Sequence, residues 1–293
     1  MSFTPPHNTF KSRLSALARK FGLAERGRHQ IFQRASQLRL PFAPIPGIKP
    51  SICWNSDPQL HRLVELPRGA LSGPVQEDKS DAHALLINLI KKEEVQLPKF
   101  DLRTIDGLSN CTDTQAAFAS LEALASSEGC RKIRIISYKD LVRTLSLAVP
   151  GYLTGDCITL RQASWMGGRI YWAGEQNNDA LACAIAYMRL RELEITLPAT
   201  LHRYQLCSQG LLALQQNYYV VAIPKPAWTA PEFMELLLDT GLPYARLSLI
   251  TSDASSEILM LPKHSADSSA LGEGLITAGA ADVVAYLLNL NMR

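Results

Sequence analysis

The sequence lacks the local signatures that announce chemistry. Its six cysteines, Cys53, Cys111, Cys130, Cys157, Cys183 and Cys207, include no Cys-x-x-Cys pair. Its six histidines form no His-x-His or His-Glu-x-x-His set. A metal site announced by ligand spacing is therefore excluded, and neither a metal nor a cofactor is expected. There is no phosphate-binding loop either. Leu271–Gly274 (LGEG) is a lone Gly-x-Gly with no strand immediately before it and no Lys-Ser/Thr after it. No apolar run reaches the length that crosses a membrane. The first twenty residues contain no continuous apolar stretch of the kind a secretory signal needs. Cys157 and Cys183 lie in apolar runs, where a free thiol behaves as a small hydrophobe. Dispersed thiols of this kind point to a reducing, cytoplasmic setting.

Acidic residues are also scarce, in one region. Residues 11–39 hold eight lysines and arginines against the single acid Glu25, a net charge of +7, and leave the rest of the chain at −4. Such separation speaks to partners rather than to fold. Phe10, Leu14, Leu17 and Phe21 fall on one helical stripe that Gly22 can end, and a second helix carries Ile31, Phe32, Ala35 and Leu38 on its apolar side. The Leu17–Leu23 run has the spacing of a DNA-binding helix-turn-helix, but Gly27 and Arg28 break the second helix of that motif. Four prolines follow between Pro41 and Pro50, which neither a helix nor a central strand accommodates. The expected organisation is a disordered stretch 1–8, a basic two-helix arm 9–40, a stiff linker 41–50 and a single α+β domain 51–293. Arg13, Arg19, Lys20, Arg26, Arg28 and Arg34 would meet a partner protein or an anionic polymer.

The chain of 293 residues is 47% hydrophobic, enough for one large core. Its centre is read at Trp165–Arg191. Gly167-Gly168 suits a two-residue hairpin turn, which would set Trp165 opposite Ile170 and Ala163 opposite Trp172. The helix that follows, Leu181 to Met188, has no polar stripe and should be buried on every side. Helices are predicted over 82–94, 112–127, 138–148, 199–214, 230–239 and 269–290, the last divided near Gly279. Strands are predicted over 63–66, 133–136, 218–223, 245–250 and 258–261, the last two as a second hairpin. Hairpins without a regular βαβ rhythm favour an α+β fold, with a mixed or antiparallel sheet packed on the buried helix.

Two constellations could carry chemistry. Cys111 precedes a predicted helix start, where the dipole favours a thiolate, and His202 is the downstream histidine most embedded in structured sequence. Together they would make a cysteine-dependent hydrolase or transferase, although Asp113 opposes ionisation of the thiol. Glu175, Gln176, Asn177 and Asn178 bring polar groups to a strand-to-helix connection, where ligands settle and where helix caps also sit. The runs Tyr171–Gln176 (YWAGEQ) and Leu242–Leu247 (LPYARL) give residues 51–293 a resemblance to an uncharacterised family of bacterial proteins, which implies no activity. The leading expectation is a non-enzymatic binding or regulatory protein acting through its basic arm.

Overall fold

A computed structural model describes residues 25–56, 58–239, 241–248 and 256–291. The first helix of the expected arm, with Arg13, Arg19 and Lys20, lies outside the described residues, as does the 1–8 stretch. Residues 25–36 form helix α1. The longer helices after it are α2 (Gln76–Leu86), α5 (Tyr138–Ala148), α6 (Asn178–Leu190), α7 (Ser208–Asn217), α8 (Pro231–Asp239), α9 (Ala266–Thr277) and α10 (Val283–Asn291). Two short ones, α3 (Asp113–Ala116) and α4 (Leu121–Ala125), replace the single helix expected over 112–127. Among the described residues no helix is long and apolar enough to cross a membrane.

Among the described residues nine strands form two sheets. The mixed sheet has the order β1-β5-β3-β4-β2, built from β1 (Ile90–Asp101), β2 (Gly107–Leu108), β3 (Ile158–Ala163), β4 (Ile170–Trp172) and β5 (Thr196–Leu206). The antiparallel sheet has the order β7-β8-β6-β9, from β6 (Tyr218–Pro224), β7 (Ala245–Leu247), β8 (Ser256–Pro262) and β9 (Ala281–Asp282). The fold is α+β, as expected.

Side-chain alternation assigns the layers. On the mixed sheet, Leu197, Ala199 and Leu201 of β5, Ile158 and Leu160 of β3 and Trp172 of β4 pack under α4, α5 and α6. Within that core Leu181, Ala182, Ala184, Ile185 and Met188 are fully buried, so α6 is the buried helix the sequence indicates. The opposite face presents Tyr171, Tyr204 and Leu206 to a second core. That core also holds Trp54, Leu60 and Leu63 and the inward residues of the antiparallel sheet, Val220, Ile258 and Met260. The far face of the antiparallel sheet, Val221, Ile223, Leu259 and Leu261, carries α1, α8 and α9. Burial of β6 and β8 on both faces explains their nearly continuous apolar sequence.

Several expectations are corrected. Residues 90–101 are the longest strand rather than the end of a helix, and 199–206 are strand too; the helix expected to start at 199 begins at Ser208. Pro98-Lys99 of β1 sit opposite the single residue Pro198 of β5, between the pairs Leu97–Ala199 and Phe100–Leu197. Both prolines thus fall at a bulge, where a missing N–H is least disruptive. Residues 60–65 form a 3₁₀ turn, not a strand, and 133–136 form no strand. The hairpin exists with a different register: Trp172 faces Leu160 and Ile170 faces Gln162. Gly167 and Gly168 have φ of 68° and 73°, but they close a longer connection containing the 3₁₀ turn Ser164–Met166. Trp165 and Met166 leave the ladder because they are buried in the core between the two sheets.

The described part of the basic segment packs its apolar side on the body. Ile31, Ala35 and Leu38 are buried on the antiparallel sheet. Gly274 of α9 lets α1 approach: a Cβ there would lie 2.5 Å from Ala35 Cβ and 2.8 Å from the Phe32 carbonyl oxygen. The lone Gly-x-Gly of the sequence is therefore a helix contact in mid-helix. The proline-rich segment is no free linker, since Ile45 and Ile48 pack against the central core.

Candidate functional site

The mixed sheet leaves part of its second face uncovered, and a groove of about 560 Å³ lies there. The 3₁₀ turn Leu60–Glu65 forms one wall. Leu60 and Leu63 are buried beneath it as anchors, and it presents His61, Arg62 and Glu65 to the groove. The floor is a row of sheet residues whose side chains share one face: Lys92 of β1, Thr159 and Arg161 of β3, and His202 and Tyr204 of β5. Register places His202 beside Arg161 on one side and Glu94 on the other.

Positive charge is only partly neutralised there. Lys92 Nζ reaches Glu65 Oε1 at 3.2 Å, and His202 Nδ1 lies 4.0 Å from Glu94 Oε2. Arg62 and Arg161 make no side-chain hydrogen bond or ion pair among the described residues. His202 Nδ1 is buried without a hydrogen-bond partner. The His61 ring packs on Trp54 and Tyr204, with ring centroids 5.2 and 5.7 Å away. Burial, then the charges of Arg161 and Arg62, push its pKa down to about 4. A histidine kept neutral by burial, with two unpaired guanidinium groups adding to the effect, marks a place short of negative charge.

The expected catalytic pair does not assemble. His202 lies in strand β5, in line with Arg161, Tyr171 and Gly107 across the sheet. Three strand intervals separate β5 from β2, about 14 Å at the usual spacing. Cys111 follows β2 and packs into the core on the other side of the sheet. Its Sγ points at the carbonyl oxygens of Leu108 and Ile52, 3.7 and 3.9 Å away. The helix it precedes has only four residues and is capped by Thr112 through a capping box with Gln115.

The polar connection before α6 makes structural bonds. Asn177 adopts a left-handed conformation, φ 48°, and Nδ2 donates to the Leu147 carbonyl at 2.6 Å. Asn178 Nδ2 donates to the Asn110 carbonyl and to Gln115 Oε1, and Gln115 Nε2 donates to Asp179 Oδ1. Glu175 and Gln176 are exposed. These residues tie α6 to α5 and to the loop carrying Cys111; they do not converge on a cavity. Of the expected contact arginines within the described residues, Arg26 and Arg34 are exposed on α1 and Arg28 is half-buried. Among the described residues no three His, Cys, Asp or Glu side chains gather as a metal set.

His202 is thus a groove residue, in another role than expected, while His61, Arg62 and Arg161 escaped sequence reasoning. Thr159 and Arg161 alternate with Ile158 and Leu160, a signal of one polar face, but only the register shows what that face meets.

No curated protein and no solved structure matches the chain. A family match spans residues 95–293; it takes in Cys111, Arg161 and His202 and leaves out Cys53, His61 and Arg62. The chain belongs to the family of unknown function DUF6685.

Proposed function

We propose that this protein binds a small anionic ligand, a phosphate or carboxylate compound, in the groove of His61, Arg62, Arg161 and His202. The observation that carries the reading is Arg161. It is a guanidinium on a sheet floor, without an internal partner among the described residues, beside the equally unpaired Arg62. Arginine presents a planar set of donors that matches phosphate and carboxylate oxygens. Thr159 adds a hydroxyl, and Tyr204 with Trp54 supplies an apolar wall behind His61. The volume falls within the range of small-molecule sites. A binding role agrees with the leading expectation but moves its centre from the basic segment to the sheet. Exposed Arg26 on α1 supports a secondary contact with a polyanion or partner protein.

Titration calorimetry with inorganic phosphate and with sulfate tests the groove. Arg161→Ala should weaken binding by at least about tenfold, the order of a lost charge-assisted hydrogen bond. Arg134→Ala, an exposed control outside the groove, should leave it unchanged. Equal affinity in the wild-type protein and in Arg161→Ala would sink the reading.

A further inference from the structure

Cys53 and Cys111, 58 positions apart in the sequence, are brought together by a short strap against the edge of the mixed sheet. Cys53 pairs with Leu108 of β2 in an isolated parallel bridge. The strap is held on all sides. Leu108 N donates to the Ile52 carbonyl at 2.6 Å, Ile52 N to the Phe118 carbonyl at 3.0 Å, and Arg169 Nη1 to the Ser51 carbonyl at 2.7 Å. Ser51 Oγ donates to the Ala116 carbonyl at 2.9 Å and accepts from Cys53 N at 3.0 Å. Cys111 Sγ lies over the carbonyls that flank this bridge, so the two thiols adjoin in a rigid frame.

The surroundings treat the two sulfurs differently. The neighbouring Cys111 thiol outweighs burial and, with the Asn55 amide, the Ser56 hydroxyl and the Cys111 amide, lowers the Cys53 pKa to about 6. Cys111 is raised, chiefly by holding the proton it shares with Cys53. Cys53 is buried and Cys111 is half-exposed, so a reactant arrives at Cys111. A second adjoining pair gives the contrast. Cys130 and Cys183 are both buried, and burial with the Cys130 neighbour pushes Cys183 up to about 12. No amide is among the groups that act on Cys183.

We propose that Cys53 and Cys111 are a redox-active dithiol that closes to an intramolecular disulfide by exchange with a small disulfide, RSSR. Cys53 acts as the base that takes the Cys111 proton while Cys111 Sγ attacks one sulfur of RSSR. The S–S bond breaks, and RS⁻ leaves as the mixed disulfide forms on Cys111. The released RS⁻ takes the proton from Cys53, and the Cys53 thiolate then attacks the Cys111 sulfur and expels the second RS⁻. Two electrons pass from the protein pair to RSSR, one RSH and one RS⁻ are released, and the reverse steps reopen the pair. The closed form staples the strap to the loop after β2, which leads to the α6 contacts of Gln115.

The full chain is incubated with oxidised glutathione near pH 7.5, quenched with acid, and digested with trypsin and a glutamate-specific protease. Cleavage at Glu122 and Glu128 separates Cys111 from Cys130. The Cys53–Cys111 linkage should form at least about tenfold faster than any Cys130–Cys183 linkage, because Cys111 is half-exposed with Cys53 beside it as base, whereas Cys130 and Cys183 are both buried. Cys53→Ser should stop the reaction at a glutathione adduct on Cys111, and Cys111→Ser should leave Cys53 unmodified while circular dichroism shows both variants folded. Modification confined to exposed Cys157, or equal linkage of the two pairs, would overturn the proposal. Neither outcome bears on anion binding, which is read separately in the groove variants.

Discussion

His61 couples the groove to pH. Its folded pKa, about 4, lies below the value of about 6.5 for an unperturbed histidine. As pH falls between those values the unfolded chain takes up a proton that the native protein refuses, so stability falls over that window and is unaffected above it. His61→Phe keeps a ring against Trp54 and Tyr204 and removes the titration. Urea midpoints at pH 7 and pH 5 should therefore differ less in His61→Phe than in the wild type. Sulfate, whose charge is constant here, should reverse part of the loss. An anion among Arg62, Arg161, Lys92 and His202 favours protonated His61 despite the carboxylates Glu65 and Glu94, so sulfate should bind more tightly as pH falls from 7 to 5. A flat pH response in calorimetry would remove His61 from the site. Little of this was legible in the sequence. Arg161 and His202 are neighbours only through strand register, and Cys53 meets Cys111 only through a bridge between distant segments. Spacing rules see neither.

At the scale of elements, what was legible followed how uniformly each was surrounded. Helix α6 lacks a polar stripe and is buried as expected. Ile185 is completely buried, and Ile185→Ala should lower unfolding free energy by roughly 2–5 kcal/mol. Denaturant unfolding would contradict this with a loss near zero. Helix α5 was read to the residue, and the structure shows Ser137 and Asp140 forming a capping box at its start. The strands β1 and β5 were misread because Lys, Glu and His on one half-exposed face break the apolar alternation, and because Pro198 falls at a bulge. Gly274 tests the α1–α9 contact. Alanine gains about 1 kcal/mol of helix propensity over glycine, whereas overpacking costs typically 1–3 kcal/mol. With Ala35 Cβ at 2.5 Å the steric loss should win, so Gly274→Ala should destabilise, and adding Ala35→Gly should recover part of the loss. A stabilised Gly274→Ala would show that the helices part without penalty.

The described residues form two sheets around a shared core that also takes in α2, α7 and α10, with α4, α5 and α6 on the outer face of one sheet and α1, α8 and α9 on that of the other. The resemblance of residues 171–176 and 242–247 to an uncharacterised family was correct as to kind, and it carried no chemistry to transfer. The charge asymmetry of residues 11–39 suggested a detachable arm, but charge does not report what the apolar side of a helix covers. Removing residues 1–40 should uncover the outer face of the antiparallel sheet. Loss of buried Ile31 and Leu38 alone is expected to lower stability by roughly 3–6 kcal/mol. A melting temperature in the 41–293 chain equal to that of the full chain would restore the arm. One margin of this body has a further consequence. Among the described residues strand β1 pairs with β5 alone, and its other edge is unpaired over much of twelve residues. Such an edge is a template for amyloid-like association, yet Lys91, Lys92, Glu93 and Glu94 line it and Pro98 interrupts it. The bulge and the charges that hid this strand from the sequence pattern are what keep neighbouring molecules from adding a strand to it. Replacing Lys91 and Glu93 with valine should turn a self-limiting sheet into one that recruits copies of itself, visible as light scattering under conditions where the parent protein stays clear.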